Sequence, residues 1–354
     1  MTQKQVSGRL RLKRLCLSLL TAVISCTVIF GVGEIWARWK YDSLAEALAW
    51  EGKKGDFFTY DPMLGWKGKP NVSGPHGSGS FVTHNAGGFR DVAWNPDSQR
   101  PRVLLLGDSN MWGYGVNDDE HVAAYLNQLH PEIQWFNAGM NGYSTDQEYL
   151  SLQQIAPGLK PDWTVVLVCK NDRPGNQLQR VAGYNKPYFD VVDNKLVLRN
   201  VPTTHTEKSW VPYANRVFSK TGSFFLYHIA QTIDGYRDKV AVEPEKLPDG
   251  ISSRPSADPT HLIVKAMFEV MDGRLLVMAI KPELELRAYC EENGIPFADL
   301  SGTRARQRGP LQFKGGPPKW SHWQPLGNRV AAEEIYKALV PLLDVLPQAK
   351  KTPR

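Results

Sequence analysis

A long apolar segment near the amino terminus is the feature that most constrains this chain. From Leu15 to Trp36 the 22 residues are apolar or small and weakly polar, apart from one acid, Glu34. A helix of that length reaches about 33 Å, enough to cross a hydrocarbon core of about 30 Å. All the charged residues that precede it are basic: Lys4, Arg9, Arg11, Lys13 and Arg14. We therefore expect a cytoplasmic basic tail (residues 1–14), a single transmembrane helix (15–36) in a bacterial inner membrane, and a periplasmic domain.

Two other interpretations of this segment stay open. A cleaved secretory signal would have a shorter apolar core and a small-x-small cleavage site. A lipoprotein signal would end at Cys26, in the sequence Val23-Ile24-Ser25-Cys26, yet the apolar run continues ten residues beyond that cysteine. Trp36 and Trp39 lie where an interfacial aromatic anchor is expected. These features favour an uncleaved anchor.

The excess positive charge belongs to the same region. The net charge of +6 and the pI near 9.0 would alone suggest a nucleic-acid partner. Residues 1–40 hold seven basic side chains and one acid, which leaves 35 basic and 35 acidic side chains for the other 314 residues. The globular part is therefore neutral, and we expect no nucleic-acid partner. Neither the four cysteines nor the histidines show a metal-ligand spacing, so no metal or cofactor is expected.

The rest of the chain divides by pattern. Residues 37–100 are rich in Gly, Pro, Asn and Ser and predict an extended lead-in, whereas residues 101–345 alternate short apolar runs with amphipathic stretches. This alternation predicts a parallel sheet with helices on both faces. Residues 173–260 interrupt it and are interpreted as an insertion that caps the substrate crevice, and residues 346–354 form a tail. The predicted strands are Val103–Leu106, Ile133–Phe136, Trp163–Cys169, Leu275–Ile280 and Ile295–Leu300.

One strand runs into a motif that suits a nucleophile. Val103–Leu106 is followed by Gly107-Asp108-Ser109, which would place a hydroxyl at the carboxyl edge of the sheet beside a helix amino terminus. A serine that merely caps the helix is the alternative. Three further segments also follow predicted element boundaries and could converge on the same crevice: Asn137 to Gly142, Asn171-Asp172 and His322-Trp323.

With these blocks in this order, residues 57–345 resemble the SGNH (GDSL-type) hydrolases. The lead-in resembles the membrane-anchored bacterial branch of that family, in Asp61-Pro-Met-Leu-Gly65-Trp66 and in Asn85-Ala-Gly-Gly-Phe89-Arg90-Asp91. The resemblance implies a flavodoxin-like three-layer α/β/α sandwich with a parallel five-stranded sheet. It also implies an acyl-serine mechanism on an O-acyl ester.

The resemblance assigns roles to individual residues. Ser109 would be the nucleophile and His322 the general base. The oxyanion hole would be formed by the N–H groups of Ser109 and Gly142 and by the Asn171 side chain. Asp108 is interpreted as a support for the turn, rather than as the acid of a triad.

The sequence departs from the family pattern at the acid. The family places an aspartate two or three residues before its histidine, but here those positions are Trp320 and Lys319. A Ser–His dyad, a carboxylate from elsewhere in the fold, and a weakened or inactive enzyme all stay open. Arg90 and Lys170 are candidate substrate contacts, with a structural loop pairing and a solvated lysine as the respective alternatives.

The sequence is compatible with three alternative functions. The first is a membrane-anchored esterase that hydrolyses an acylated small molecule, lipid or glycan. An acyltransferase on an envelope glycan would use the same residues. A non-catalytic binding module on the same fold is the third, motivated by the missing acid.

Overall fold

The protein is described here from a computed structural model, which places residues 3–41, 57–76, 80–96, 99–181, 184–205, 213–240, 258–300, 311–312 and 322–343. The predicted tail, residues 346–354, lies outside the described residues.

The apolar segment forms a single helix, α1 (Gln3–Tyr41), which also includes most of the predicted basic tail and extends five residues past the predicted span. Within it, Cys16–Lys40 is long and apolar enough to cross a membrane, and its most apolar 18-residue window has a mean hydropathy of 2.2 with no residue buried. Apolar side chains are exposed all around it rather than on one stripe, as expected of a helix surrounded by lipid. By length and composition the same segment also fits a signal sequence.

The lead-in is more ordered than its composition predicts. It contains two antiparallel hairpins, β1 (Phe58–Asp61) with β2 (Gly65–Gly68), and β3 (Ser73–His76) with β4 (Ser80–Thr83). Asp61 Oδ1 accepts hydrogen bonds from the N–H groups of Met63 and Leu64 at 2.9 and 3.0 Å, which fixes the first turn.

The first half of the globular part alternates strands and helices in sequence order. Its elements are β5 (Arg102–Gly107), α2 (Ser109–Trp112), α3 (Val122–Leu129), β6 (Gln134–Asn137), α4 (Thr145–Leu159) and β7 (Trp163–Val168).

The insertion follows β7. It begins with a short helix and two small hairpins and continues as two helices: α5 (Asp172–Gly175), β8 (Arg180–Val181), β9 (Tyr184–Asn185), β10 (Tyr188–Val192), β11 (Lys195–Arg199), α6 (Tyr213–Thr221) and α7 (Phe224–Val240). Asp193 and Asn194 join β10 to β11 with positive φ at both positions, the geometry that suits a two-residue hairpin turn. The described part of the insertion packs on α4, on the β1–β2 hairpin and on α1. Its role as a cap over the crevice stays a prediction.

The chain then returns to the sheet with α8 (Thr260–Val270), β12 (Leu275–Ala279), α9 (Leu284–Glu292), β13 (Phe297–Asp299) and α10 (Pro325–Leu343). The sheet order is β6-β5-β7-β12-β13, and all neighbours are parallel. In chain order this is second, first, third, fourth and fifth, the flavodoxin-like arrangement. The predicted fold class is confirmed.

Alternation along the strands builds the three layers. Leu104, Leu106 and Val166 pack with α4, α8 and α9 on one face. Val103 and Leu105 pack with α3 and α10 on the other. Because both faces are covered, the central strands are almost entirely apolar, and polar groups emerge at their carboxyl ends.

Candidate active site

Ser109 lies at the carboxyl end of β5, the strand flanked by β6 and β7. It is the first residue of α2 and is 9 % exposed. The preceding Asp108 caps this helix, because its Oδ1 accepts a hydrogen bond from the Asn110 N–H at 2.9 Å. The Cys169 thiol donates to the same oxygen at 3.1 Å. These contacts fix the backbone from which the serine hydroxyl projects.

The Cys169 thiol is buried beside the Asp108 carboxylate. Burial raises the pKa of its thiol well above the usual value, and the Asp108 carboxylate adds to the effect. The thiol therefore stays protonated and serves as a hydrogen-bond donor.

His322 meets Ser109 across 213 residues of sequence. Its Nε2 lies 2.8 Å from Ser109 Oγ, a hydrogen-bond distance. The histidine immediately precedes Trp323, which forms an isolated antiparallel bridge with Gln312 just before α10. The two residues that the motifs single out as nucleophile and base are thus brought together.

An aromatic ring holds one face of the imidazole. The Tyr114 ring stacks on His322 with centroids 4.5 Å apart and an interplanar angle of 29°. Tyr114 follows directly after α2, in a turn where its N–H donates to the Ser109 carbonyl at 2.9 Å. One turn therefore links the serine backbone to the orientation of the histidine.

Arg90 supports that turn from beneath. Its side chain is fully buried, donates to the carbonyl oxygens of Gly113 and Val116, and pairs with Asp118 at 3.1 Å. Burial lowers the pKa of Arg90 to about 10, and Asp118 opposes this shift, so the guanidinium is charged at neutral pH. Because these groups occupy the guanidinium, we interpret Arg90 as a support of the turn rather than as a contact to substrate.

The loop after β6 flanks Ser109 on one side. Gly139 packs against α2. A Cβ at this position would lie 2.6 Å from the backbone nitrogen of Trp112, so only glycine fits there. Gly142 has φ +82, the left-handed region that favours glycine. Trp66 from β2 secures this loop by donating from Nε1 to the Asn141 carbonyl at 3.0 Å.

The loop after β7 flanks Ser109 on the other side. Asn171 is exposed, and its Nδ2 lies 3.4 Å from Asp172 Oδ1. Asp172 is fully buried and accepts a hydrogen bond from the Cys169 N–H at 2.7 Å, which closes the turn. Lys170 is exposed beside Asn171.

Behind this loop lies a buried charged cluster that the sequence analysis missed. Lys186 and Asp146 are both fully buried and form an ion pair, and Lys186 also donates to the Gly175 carbonyl at 3.1 Å. Glu148 is 1 % exposed, and neither of its carboxyl oxygens has a hydrogen-bond partner among the described residues. Burial, reinforced by Asp172, raises the pKa of Glu148 well above its usual value. Acids in a first helical turn are common, and for that reason the sequence pattern does not flag them.

The group that orients the other side of the His322 ring and the presence of a metal site are the two remaining questions about the site. Lys319 and Trp320, which take the place of the aspartate expected from the sequence resemblance, are outside the described residues, so the dyad hypothesis stays a prediction. Among the residues that the structure does describe, no cluster of three or more His, Cys, Asp or Glu side chains could hold a metal ion.

No family model and no curated protein matches this chain. Its fold is similar to several solved structures. One is a psychrotrophic esterase from a Pseudoalteromonas species (11 % identity, TM-score 0.38, covering 69 % of this chain and 98 % of that one). Another is a lipase/acylhydrolase from Enterococcus faecalis (11 % identity, TM-score 0.37, covering 68 % of this chain and 95 % of that one). A third is a member of the lipolytic protein G-D-S-L family from Veillonella parvula DSM 2008 (12 % identity, TM-score 0.34, covering 69 % of this chain and 99 % of that one).

Proposed function

We propose that this protein is a membrane-anchored serine ester hydrolase of the SGNH type. The observation that carries the proposal is the 2.8 Å contact between Ser109 Oγ and His322 Nε2 at the carboxyl edge of the parallel sheet. A serine becomes nucleophilic when a base is held at this distance, and an imidazole is the side chain best suited to take its proton near neutral pH.

The reaction has two steps. In the first, His322 Nε2 takes the hydroxyl proton as Ser109 Oγ attacks the ester carbonyl. The tetrahedral intermediate then collapses, and the leaving alcohol receives that proton, which leaves an acyl-serine. In the second step His322 activates a water molecule, which releases the carboxylic acid and regenerates the serine.

The loops beside Ser109 supply donors for the developing oxyanion. We assign this role to the N–H groups of Ser109 and Gly142 and to Asn171 Nδ2. The neighbouring positions of β6 and β7 in the sheet, the left-handed conformation of Gly142 and the exposure of Asn171 support the assignment. Donors of this kind act by stabilising charge that is present only in the transition state.

We further propose that His322 works without an adjacent aspartate. The Tyr114 stack and the Arg90-supported turn constrain the ring plane, a task that a triad carboxylate performs in other hydrolases. The expected result is a slower enzyme than one with a full triad, since a ring stack does not stabilise the imidazolium as a carboxylate does.

The anchor belongs to the same proposal. The five basic residues before the apolar segment support an amino terminus in the cytoplasm and a hydrolase domain outside the inner membrane. The substrate would then be an acylated small molecule, lipid or glycan of the envelope.

Hydrolysis of p-nitrophenyl acetate and butyrate by the full chain in detergent tests the proposal. We expect Ser109→Ala and His322→Ala each to lower kcat/KM by about 10²–10⁴-fold. Ser73→Ala, at an exposed position on β3, serves as the control and should leave the rate unchanged. Equal rates in wild type and Ser109→Ala would refute the assignment. A wild-type chain that binds acylated glycan without turnover would favour the binding module.

A further inference from the structure

The helix α1 does not stand apart from the globular part, because its single acid is engaged by the insertion. Glu34 accepts hydrogen bonds from Ser223 Oγ at 2.7 Å and from the N–H groups of Phe224 and Phe225 at 3.2 and 3.1 Å. The first N–H groups of a helix lack partners within it, and the helix dipole favours a negative charge there. Glu34 therefore caps α7 from a different helix.

Packing surrounds this cap. Ala37 of α1 is fully buried in a small apolar cluster with Phe218 of α6 and Phe224 of α7. At Gly33 a Cβ would lie 2.7 Å from the Phe225 ring, so the two helices touch closely at that point. Phe30 meets the same ring edge-to-face, with centroids 5.7 Å apart.

These contacts lie at a depth that belongs to a bilayer. The apolar segment ends at Trp36, and Phe30 precedes that end by about 9 Å along the helix. This depth is less than half of a hydrocarbon core, which is about 15 Å. The amino-terminal end of α7, which carries Phe225 against Phe30, therefore reaches into the leaflet farther from the basic tail.

The exposed face of α7 fits that location. Ile229 and Ile233 are 40 % and 39 % exposed, and they follow Phe225 at intervals of four residues. Residues at this spacing share one face of a helix, so the three side chains form a continuous apolar stripe. His228, three residues after Phe225, meets Trp36 with ring centroids 5.0 Å apart, so the stripe begins beside Phe30 and continues toward the outer end of the span.

We propose that the α6–α7 hairpin is a membrane-docking element whose Phe225–Ile229–Ile233 stripe contacts lipid acyl chains while Glu34 fastens it to the anchor. The inference rests on the transmembrane assignment within the proposed function, but not on ester hydrolysis. It also implies that α1 is retained, because cleavage after the helix would remove both the cap and Ala37. The anchor then orients the hydrolase domain instead of acting as a loose tether.

Site-specific quenching by lipid tests the proposal on the full chain. Cys16 and Cys26 are changed to alanine, while the buried Cys169 and Cys290 are kept. An environment-sensitive fluorophore is attached at Ile229→Cys, or at Ile233→Cys in a second variant, and the protein is reconstituted into phosphatidylcholine vesicles with acyl-chain spin labels. Leu129→Cys on α3, at 39 % exposure, is the matched control in the sheet domain.

The expected result is strong quenching at positions 229 and 233 and none at position 129. Glu34→Ala should shift the docking equilibrium about fivefold toward the undocked state. Glu34→Gln retains an acceptor oxygen and should therefore cause a smaller shift. Quenching at 229 and 233 no greater than at 129, in protein that co-floats with vesicles, would overturn the proposal. Energy transfer between labelled copies without lipid quenching would also overturn it and assign the stripe to a second copy. Failure to co-float would reject docking and the anchor together, whereas ester hydrolysis in the same samples reports on the catalytic assignment alone.

Discussion

A serine hydroxyl reacts with esters only when a base is held in line with it, so the residues that fix the imidazole matter as much as the imidazole itself. The ordered motifs predicted Ser109 and His322, and the structure places them in contact. These motifs do not single out Tyr114. Its stack on His322 depends on how α10 returns to the sheet, and no local spacing in the sequence encodes that approach.

The Tyr114 stack leads to a first prediction. Tyr114→Ala should lower kcat for p-nitrophenyl esters by about 10- to 100-fold with little change in KM, since a loosened base impairs the chemical step and not binding. Tyr114→Phe keeps the stacking ring and should retain the wild-type kcat. Steady-state kinetics of the two variants check this, and full activity in Tyr114→Ala would show that the stack does not position the base.

A second prediction concerns pH. His121 caps α3 by accepting from the Ala124 N–H at 3.2 Å, and burial lowers the pKa of His121 to about 3. Because the unfolded chain binds a proton near pH 6.5 and the folded chain does not, His121 stabilises the fold above that pH and its contribution is lost as the pH falls. From pH 7 to pH 5 the loss is about 2 kcal/mol of unfolding free energy.

His121→Asn keeps a capping side chain but removes the titration. Urea unfolding of this variant should therefore depend less on pH between 7 and 5 than the wild type does. His205→Asn, at an exposed histidine, is the control and should follow the wild-type pH dependence. An unchanged pH dependence in His121→Asn would contradict the account.

Among the elements, the strands of the central sheet were the most predictable. Their apolar runs are buried on both faces, and each predicted run overlaps an observed strand, although predicted Ile295–Leu300 is only Phe297–Asp299 in the structure. The hairpins of the lead-in were missed because their strands are four residues long and polar or glycine-rich. Such strands are specified by turn contacts and by packing on the domain, which a periodicity analysis does not detect.

The insertion is joined to the sheet domain through a buried ion pair, and this supports a prediction about elements. Lys186, between β9 and β10, pairs with Asp146 in the first turn of α4, and both are fully buried. Lys186→Met would leave an uncompensated carboxylate and should lower the unfolding free energy by about 3–5 kcal/mol. Adding Asp146→Asn to that variant should recover much of the loss.

The matched control is an exposed pair in the same insertion. Arg199 pairs with Asp190 across β10 and β11 at 3.1 Å, with the arginine 47 % exposed. Arg199→Met should cost no more than about 1 kcal/mol. Equal destabilisation by Lys186→Met and Arg199→Met in urea unfolding would show that the buried pair does not hold the insertion in place.

For the whole molecule, the distribution of charge and hydropathy along the chain predicted its main division, a basic apolar leader and a neutral α/β domain. The contact between them could not be predicted, because a lone glutamate in an apolar segment does not show what it will bind. In the structure, Glu34 accepts hydrogen bonds from the amino terminus of α7. The described part of the insertion therefore contacts both α1 and the sheet domain.

The central claim is that Ser109 is a nucleophile activated by His322, and its most direct test is covalent capture. Full-length protein in detergent is treated with a fluorophosphonate, and the modified residue is located by peptide mass spectrometry. The account predicts an adduct on Ser109 that forms about 10²–10⁴-fold more slowly in His322→Ala. An unmodified Ser109 in the wild-type protein, or labelling that does not depend on His322, would contradict it.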